Sequence, residues 1–411
     1  MNTDKLASTN IADRRAWSRK AAYALGVVVG IISIYAAFRF AVPPDPTYQG
    51  KRLSEWVVDL DDLDALKPRE SQQKAKEAIQ AIGAEGVPML ISMLRRHDSA
   101  FRRNLAKEFG APSFAQAEVY QKRAFSALEI LGPSAREAMP ELIAQFQQAE
   151  LCPWAADAIM RVDPEAAMGV LAEALSHTNK TVREVAADRL GFSNVATNAD
   201  PIIPALLRAL KDSDPQVRIG VAFALGRFRK SPNVVVPALI WQLSDTNIYC
   251  RLYALDALAE FGNQARAAAP AIQQCISETN AHYRARAVAA LVRVDPDAAA
   301  QAGYSPHELV IQLESINENT KTTSMFALWM LQAQLMDYAP QVVPALTARI
   351  GDTNQKIRGL AVTTLGEFGT NARSALPALA SHLQDPDESF RVKVRRVIEE
   401  IDSGYFARTN H

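Results

Sequence analysis

At 411 residues, 48% of them apolar and only 18 glycine, the chain is long enough for two or three ordinary domains or for one extended array. Lysine plus arginine and aspartate plus glutamate both number 45, so there is neither the global basic field of a nucleic-acid binder nor the acidic excess of a disordered chain. Cys152, Cys250 and Cys275 are too few and too dispersed for a disulfide framework or a zinc knuckle; burial is their default reading, and a Cys250–Cys275 bridge is the one pairing that neighbouring helices would permit.

The chain begins with a basic tail, residues 1–20, carrying Arg14, Arg15, Arg19 and Lys20. Residues 21–38 are uncharged and mostly apolar, and with Arg39 snorkelling at one end the span reaches Val42. This predicts one transmembrane helix over 21–42. After Arg39 the next positive charges are Lys51 and Arg52, so the charge asymmetry puts the N-terminus in the cytoplasm and the rest outside the inner membrane. Three rival readings compete with the anchor. A cleaved signal peptide finds only a poor cleavage site between Ile34 and Arg39. A twin-arginine export signal fits Arg14 to Arg19 but is opposed by Asp13 and the long apolar stretch. A buried helix is opposed by Val42-Pro43-Pro44-Asp45-Pro46, which reads as a stiff extended spacer. Within the span Ala22, Gly26 and Gly30 recur every fourth residue, leaving a smooth face that permits a homodimer.

Residues 43–69 read as a proline-rich linker and a lead-in helix, with Ser54 as its N-cap, Leu53 as the apolar staple, and Trp56, Val57 and Leu60 on one side. Asp59, Asp61, Asp62 and Asp64 follow as a solvated helix end; they lack the glycine turn and distal carboxylate of a calcium loop.

From about residue 70 the chain repeats itself. Pro204-Ala-Leu, Asp212, Arg218 and Ala224-Leu225 return after 33 residues as Pro237-Ala-Leu, Asp245, Arg251 and Ala257-Leu258. An arginine, a small apolar residue three later and a Leu or Ile seven later align Arg183, Arg218, Arg251, Arg284, Arg358 and Arg391, the latter two positions falling on one helical face. Six residues before those arginines stand His177, Asp212, Asp245, Glu278, Asp352 and Asp385. Thr-Asn pairs at Thr178-Asn179, Thr246-Asn247, Thr279-Asn280 and Thr353-Asn354 supply turn and capping side chains. Gly-x-x-Ala-Arg-x-x-x-Pro occurs at Gly132 to Pro140, Gly262 to Pro270 and Gly369 to Pro377, so one helix ends on glycine and the next begins on proline. Met160 to Ala166 (MRVDPEA) returns 132 residues on as Val292 to Ala298 (VRVDPDA).

On these residues the stretch 70–402 resembles the HEAT-repeat family, in the subtype named for PBS lyases. The resemblance implies an all-α chain, a right-handed α-solenoid of nine or ten helix pairs, preceded here by the transmembrane helix and followed by a tail, 403–411. It also implies that the turn acid joins the two helices of a unit and that the arginine opens the second. Asp212, Arg218, Asp245, Arg251, Glu278, Arg284, Asp352, Arg358, Asp385 and Arg391 would then form a ladder of charge-assisted contacts between successive units.

The pattern fails in places. The unit holding Glu318 has Ser324 at the arginine position, and the unit ending near Val162 has Cys152 there, so the ladder is expected to break at both. Ala299 to Pro306 adds about seven residues between helices. An insertion between Arg95 and Glu118, with Phe101, Leu105, Phe109 and Phe114, is the first candidate for a special surface feature. Arg391, Lys393, Arg395 and Arg396, answered by Glu399, Glu400 and Asp402, read as the polar face of a capping repeat.

Chemistry-bearing motifs are scarce. His97, His177, His282, His307, His382 and His411 never pair at metal-ligand spacing. HEAT-like iron hydroxylases would need several His-Glu pairs, and His307-Glu308 is a single one; a lyase motif and a phosphate loop are likewise missing. No catalytic, cofactor or metal residue is therefore assigned. Trp154, Trp241 and Trp329 are expected to pack between helices, whereas Tyr249, Tyr253 and Tyr283, near the turns of consecutive units, are the candidate partner-binding residues. The expectation is a membrane-anchored, non-catalytic scaffold for protein partners, with no nucleic acid. The alternatives are a lyase or hydroxylase on the same scaffold, or a structural envelope protein.

Overall fold

The computed structural model describes residues 43–60, 69–99, 108, 117–193 and 199–409. The expected span 21–42, with Ala22, Gly26 and Gly30, lies outside them, as does most of the insertion after Arg95. Among the described residues no helix is long and apolar enough to cross a membrane. The chain divides into two compact units, Met1–Ala167 and Met168–His411.

In the first unit a two-residue hairpin, β1 (Thr47–Tyr48) and β2 (Lys51–Arg52), leads into α1 (Leu53–Trp56). Ser54 does not cap this helix; it sits inside the first turn. Asp45 from the proline-rich segment does the capping work instead, accepting from the Ser54 amide at 3.1 Å and from its hydroxyl. Then come α2 (Arg69–Ile82), α3 (Val87–Leu94), α4 (Ala117–Leu131), α5 (Met139–Phe146) and α6 (Cys152–Val162), with α7 (Pro164–Ala174) running across the division. α4 packs on α3 and α6, and α5 on α6. The alternation is that of antiparallel helix pairs burying one apolar stripe each.

The second unit continues with α8 (Lys180–Phe192), α9 (Ile203–Ala209), α10 (Pro215–Phe228), α11 (Pro232–Gln242), α12 (Ile248–Phe261), α13 (Ala269–Cys275) and α14 (Ala281–Val294). It ends with α15 (Pro296–Gln301), α16 (Pro306–Gln312), α17 (Glu318–Met330), α18 (Ala339–Thr347), α19 (Gln355–Glu367), α20 (Leu376–Ser381), α21 (Glu388–Ile401) and α22 (Tyr405–Thr409). The second helices of the pairs stack in sequence: α8 on α10, α10 on α12, α12 on α14, α14 on α17, α17 on α19 and α19 on α21. Each is buried on two sides, so α12 buries Cys250, Leu252, Ala254, Leu255, Ala257 and Leu258. That is why the apolar periodicity of these helices is blurred rather than a single stripe.

Local chemistry sets the boundaries. Asn179, Asp214, Asn247, Asn280, Asn317, Asn354 and Asp387 are the N-caps of the seven second helices, each side-chain oxygen accepting from an amide in the first turn. At the other end Gly132, Gly262 and Gly369 turn the chain at φ between 50° and 54°, where a β-carbon is disfavoured. A short 3₁₀ stretch then delivers the proline to the second position of the next helix. Glycine also allows the stack to close: a β-carbon at Gly226 would stand 2.7 Å from the Ala257 Cα, so α10 and α12 meet backbone to backbone there.

Candidate protein-binding surface

In α8 and α10 the arginine of the first turn is a two-sided clamp. In α10, Arg218 Nη1 donates to the carbonyl of Asp212 in its own turn at 2.8 Å, while Nε and Nη2 grip Asp245 of the next turn at 2.7 and 2.8 Å. Arg183 treats His177 and Asp212 in the same way, at 2.9, 2.7 and 3.0 Å. Burial pushes the Asp245 carboxyl up, but the bonds from Arg218 and from the Asn247 amide, with the arginine charge, outweigh it and hold the group below the ordinary carboxylate range. The clamp then weakens along the chain. Arg251 reaches Glu278 only at 3.8 Å, and Arg284 forms no ion pair among the described residues. It recovers at Arg358, which meets Asp385 and Asp387 at 3.3 Å each. Arg391 Nη1 donates to the Asp385 carbonyl at 2.7 Å in the last second helix.

The arginine position of α17 is Lys321, not Ser324. Four residues separate each capping residue from its arginine, as from Asn247 to Arg251, and Asn317 caps α17. Lys321 lies 3.7 Å from Asp352, so a cation still bridges the two units. Ser324 is fully buried, its hydroxyl donating to the Gln312 side chain at 2.6 Å. A second, unexpected set of clamps joins the recurring motifs. Arg136 of one glycine junction meets Asp163 at 3.1 Å, and Arg266 of the next meets Asp295 at 2.9 Å. The sequence carried the signal, because Gly-x-x-Ala-Arg and Arg-Val-Asp-Pro recur together.

The three tyrosines part company. Tyr249 is 59% exposed and Tyr253 half-buried, but Tyr283 is buried at 1%. Its ring lies under Arg251, 5.1 Å from the guanidinium carbon, and its hydroxyl donates to Cys275 Sγ at 3.2 Å. Burial pushes both the Tyr283 hydroxyl and the Cys275 thiol up, so both stay protonated. Tyr283 therefore belongs to the packing between α13 and α14 and not to the surface. All three cysteines are free and buried, and Cys250 and Cys275 are not bridged. Trp241 departs in the opposite sense: expected to pack, it is 57% exposed, with Lys211 over its ring.

The outward face of the second helices carries an aromatic strip that the sequence reading missed. Phe192 of α8, Phe223 of α10 and Tyr253 of α12 form a continuous row, with ring centroids 5.2 and 6.2 Å apart and the second pair edge to face. Phe192 is 65% exposed. Gly191 makes the row fit, since a β-carbon there would stand 2.5 Å from the Phe223 ring. Beyond Tyr253 the same face turns polar. Arg286 pairs with Asp256, and Arg293 pairs with Glu260 at 3.1 Å. These charges border a shallow groove of about 290 Å³ reaching Trp329 and Met330. A second ring pair, His282 and Phe326 at 5.4 Å, follows between α14 and α17.

Glu308 is occupied as the capping-box partner of Ser305, accepting from its amide at 2.9 Å. Among the described residues no group of three His, Cys, Asp or Glu side chains is placed to hold a metal ion.

No curated protein matches the chain. Among solved structures, an engineered protein from the Northeast Structural Genomics Consortium is 20% identical over 85% of this chain and 98% of that one, at a TM-score of 0.36. Kap121p is 14% identical over 87% of this chain and 46% of that one, at 0.47. The Kap95:Nup1 complex gives 14% over 81% and 47%, also at 0.47. A family model described as HEAT repeats matches residues 168–235, 236–302 and 308–399, more than half of the sequence. With its paired helices, capped turns and arginine clamps, the chain belongs to the HEAT-repeat family.

Proposed function

We propose that the protein is a membrane-anchored, non-catalytic scaffold that binds protein partners on the outward face of its stacked second helices. The observation that carries this reading is the Phe192–Phe223–Tyr253 row, an aromatic strip crossing three consecutive units in which Phe192 is exposed and Phe223 and Tyr253 are half-buried. Clustered aromatic rings bordered by ion pairs have the composition of a binding hot spot with a polar rim. A stack of helix pairs offers such a strip to an extended polypeptide, because each unit contacts only its neighbours and leaves one continuous flank open.

The anchor belongs to the same proposal. Eighteen uncharged residues, 21–38, preceded by Arg14, Arg15, Arg19 and Lys20, support a single span with the N-terminus in the cytoplasm and the repeats on the far side of the inner membrane. Tethering would raise the local concentration of the binding strip near other membrane components.

The test places a photo-reactive residue at Tyr249, one helical turn before Tyr253 and on the same face. Crosslinking in intact membranes should yield a discrete adduct that Phe192→Asp abolishes, while circular dichroism shows the variant folded. An adduct indifferent to Phe192→Asp, or none, overturns the reading. Topology is read separately: a cysteine introduced at exposed Gln264 should react with a membrane-impermeant maleimide added outside the inner membrane.

A further inference from the structure

The clamp series is interrupted at Arg284, and the interruption leaves a built cavity. Arg284 Nη1 donates to the carbonyls of Glu278 and Thr279 at 2.7 and 2.8 Å, as its counterparts do in their own turns. The other edge of its guanidinium belongs to the next turn, where Arg183 finds Asp212 and Arg218 finds Asp245. At that place stands Ser315. Its amide donates to the Gln312 carbonyl at 3.1 Å as the Asp245 amide does to Gln242 at 3.0 Å. Its hydroxyl accepts from the Asn317 amide at 3.1 Å, as the Asp245 carboxylate does from Asn247 at 2.8 Å. A hydroxyl thus occupies the position of a carboxylate, and the clamp lacks its anion.

Arg284 also lines a cavity of about 180 Å³, together with Tyr304, Gln312, Asn319, Thr320 and Thr323. Thr323 is only 5% exposed, and its Oγ1 has no hydrogen-bond partner. A buried hydroxyl without a partner costs free energy that a fitting acceptor would recover. Gln312 stands where Gln242 donates to Asp245 at 3.0 Å, but its amide nitrogen is turned to the Gly303 carbonyl at 2.7 Å. Tyr304 is brought in by the additional residues between Ala299 and Pro306, which divide a stretch that begins as α7 does into α15, a turn and α16. The volume is below the roughly 300–1,000 Å³ of pockets that enclose whole small molecules. It suits the tip of a side chain.

We propose that this cavity is a carboxylate-binding site that takes an acidic side chain of a bound polypeptide. The incoming carboxylate supplies the missing anion, accepting from the Arg284 fork in the bidentate manner of Asp245 and from the Thr323 hydroxyl. The inference rests on the protein-binding reading and adds a selection rule: a segment lying across the second helices presents an acidic residue at the α14–α17 junction.

The experiment uses the full-length protein and a fluorescent deca-glutamate peptide at low ionic strength, followed by anisotropy. Arg284→Gln should weaken binding by about 10-fold or more and Thr323→Val by several-fold. The deciding variant is Ser315→Asp, which supplies the carboxylate from within. It should raise the melting temperature and abolish peptide binding together, so loss of binding cannot be attributed to misfolding. Acetate and inorganic phosphate serve as competitors. Displacement of the peptide by either at concentrations comparable to the peptide's own would mean a free small anion is the ligand and would overturn the polypeptide assignment. Unchanged binding in Ser315→Asp, or no binding by the wild type, overturns the site. If the Tyr249 adduct persists while the peptide fails to bind, only the carboxylate site falls; if the adduct is also absent, the protein-binding reading falls with it.

Discussion

Two stretches of the second unit use one device with opposite results. In α8 and α10 each arginine closes bidentately on the next acid, and both partners are sheltered: side-chain exposure is 13% for Arg218 and 6% for Asp245. Around α14 and α17 the acid is longer, displaced or replaced. Glu278 is 45% exposed and 3.8 Å from Arg251, and Ser315 replaces the acid altogether. The regular stretch spends its arginines on the spine, whereas the irregular stretch leaves a guanidinium and a buried hydroxyl open to a ligand. Regularity thus marks structure, and the sites lie where one member of a repeated contact has been withdrawn.

The largest expected effect contrasts the two stretches directly. Arg218→Ala strands a sheltered Asp245 with only its amide and glutamine donors, and should cost about 3 kcal/mol in urea unfolding. Arg251→Ala removes a loose, half-exposed pair and a cation–π contact with Tyr283, and should cost about 1 kcal/mol. Equal losses would show that the clamp geometry does not set its strength. Next in size is Gly226→Val. The α10–α12 approach leaves no room for a β-carbon beside Ala257, and overpacking of this kind costs about 1–3 kcal/mol. Asn247→Ala should cost about 1 kcal/mol, because it frees the Tyr249 amide and removes the cap of α12.

What could be read from the sequence followed the range of the interaction. Capping asparagines, glycine ends and proline starts depend on a few adjacent residues, and Thr246-Asn247 or Gly262 to Pro270 declare them without knowledge of the neighbours. The clamp motif was visible because both members recur. Its register in α17 was misread by counting from Ser324, since the small buried residue tolerates a shift that the capping Asn317 does not. The aromatic strip was hidden because it runs diagonally. Phe192 follows its arginine by nine residues, Phe223 by five and Tyr253 by two, so the row steps back about one helical turn per unit. No fixed position of the repeat is aromatic. Tyr283 misled for the converse reason: it lies beside a turn in sequence but faces Cys275 across the helix pair.

The smallest effect at neutral pH, and the sharpest test of what sets the end of the stack apart, concerns Asp387. Five of the seven second-helix caps are asparagine, but α21 is capped by Asp387, which accepts from the Ser389 hydroxyl and the Phe390 amide and also meets Gln355 and Arg358 of α19. These contacts, the Ser389 bond foremost, hold its carboxyl down at about 2 from an ordinary 3.8. The folded group is the stronger acid, so its contribution is complete above 3.8 and is lost as pH falls toward about 2. Asp387→Asn keeps a capping oxygen and removes the titration. At pH 7 the variant should melt close to the wild type, losing only the Oδ2 contacts with Gln355 and Arg358. Between pH 4 and pH 2 the wild type should lose melting temperature more steeply than the variant, the remaining slope coming from the other carboxyls held below their ordinary range, Asp212, Asp245 and Asp385 among them. Parallel curves would mean that α21 does not depend on the charge of its cap, and that the ladder acids alone make the stack acid-sensitive.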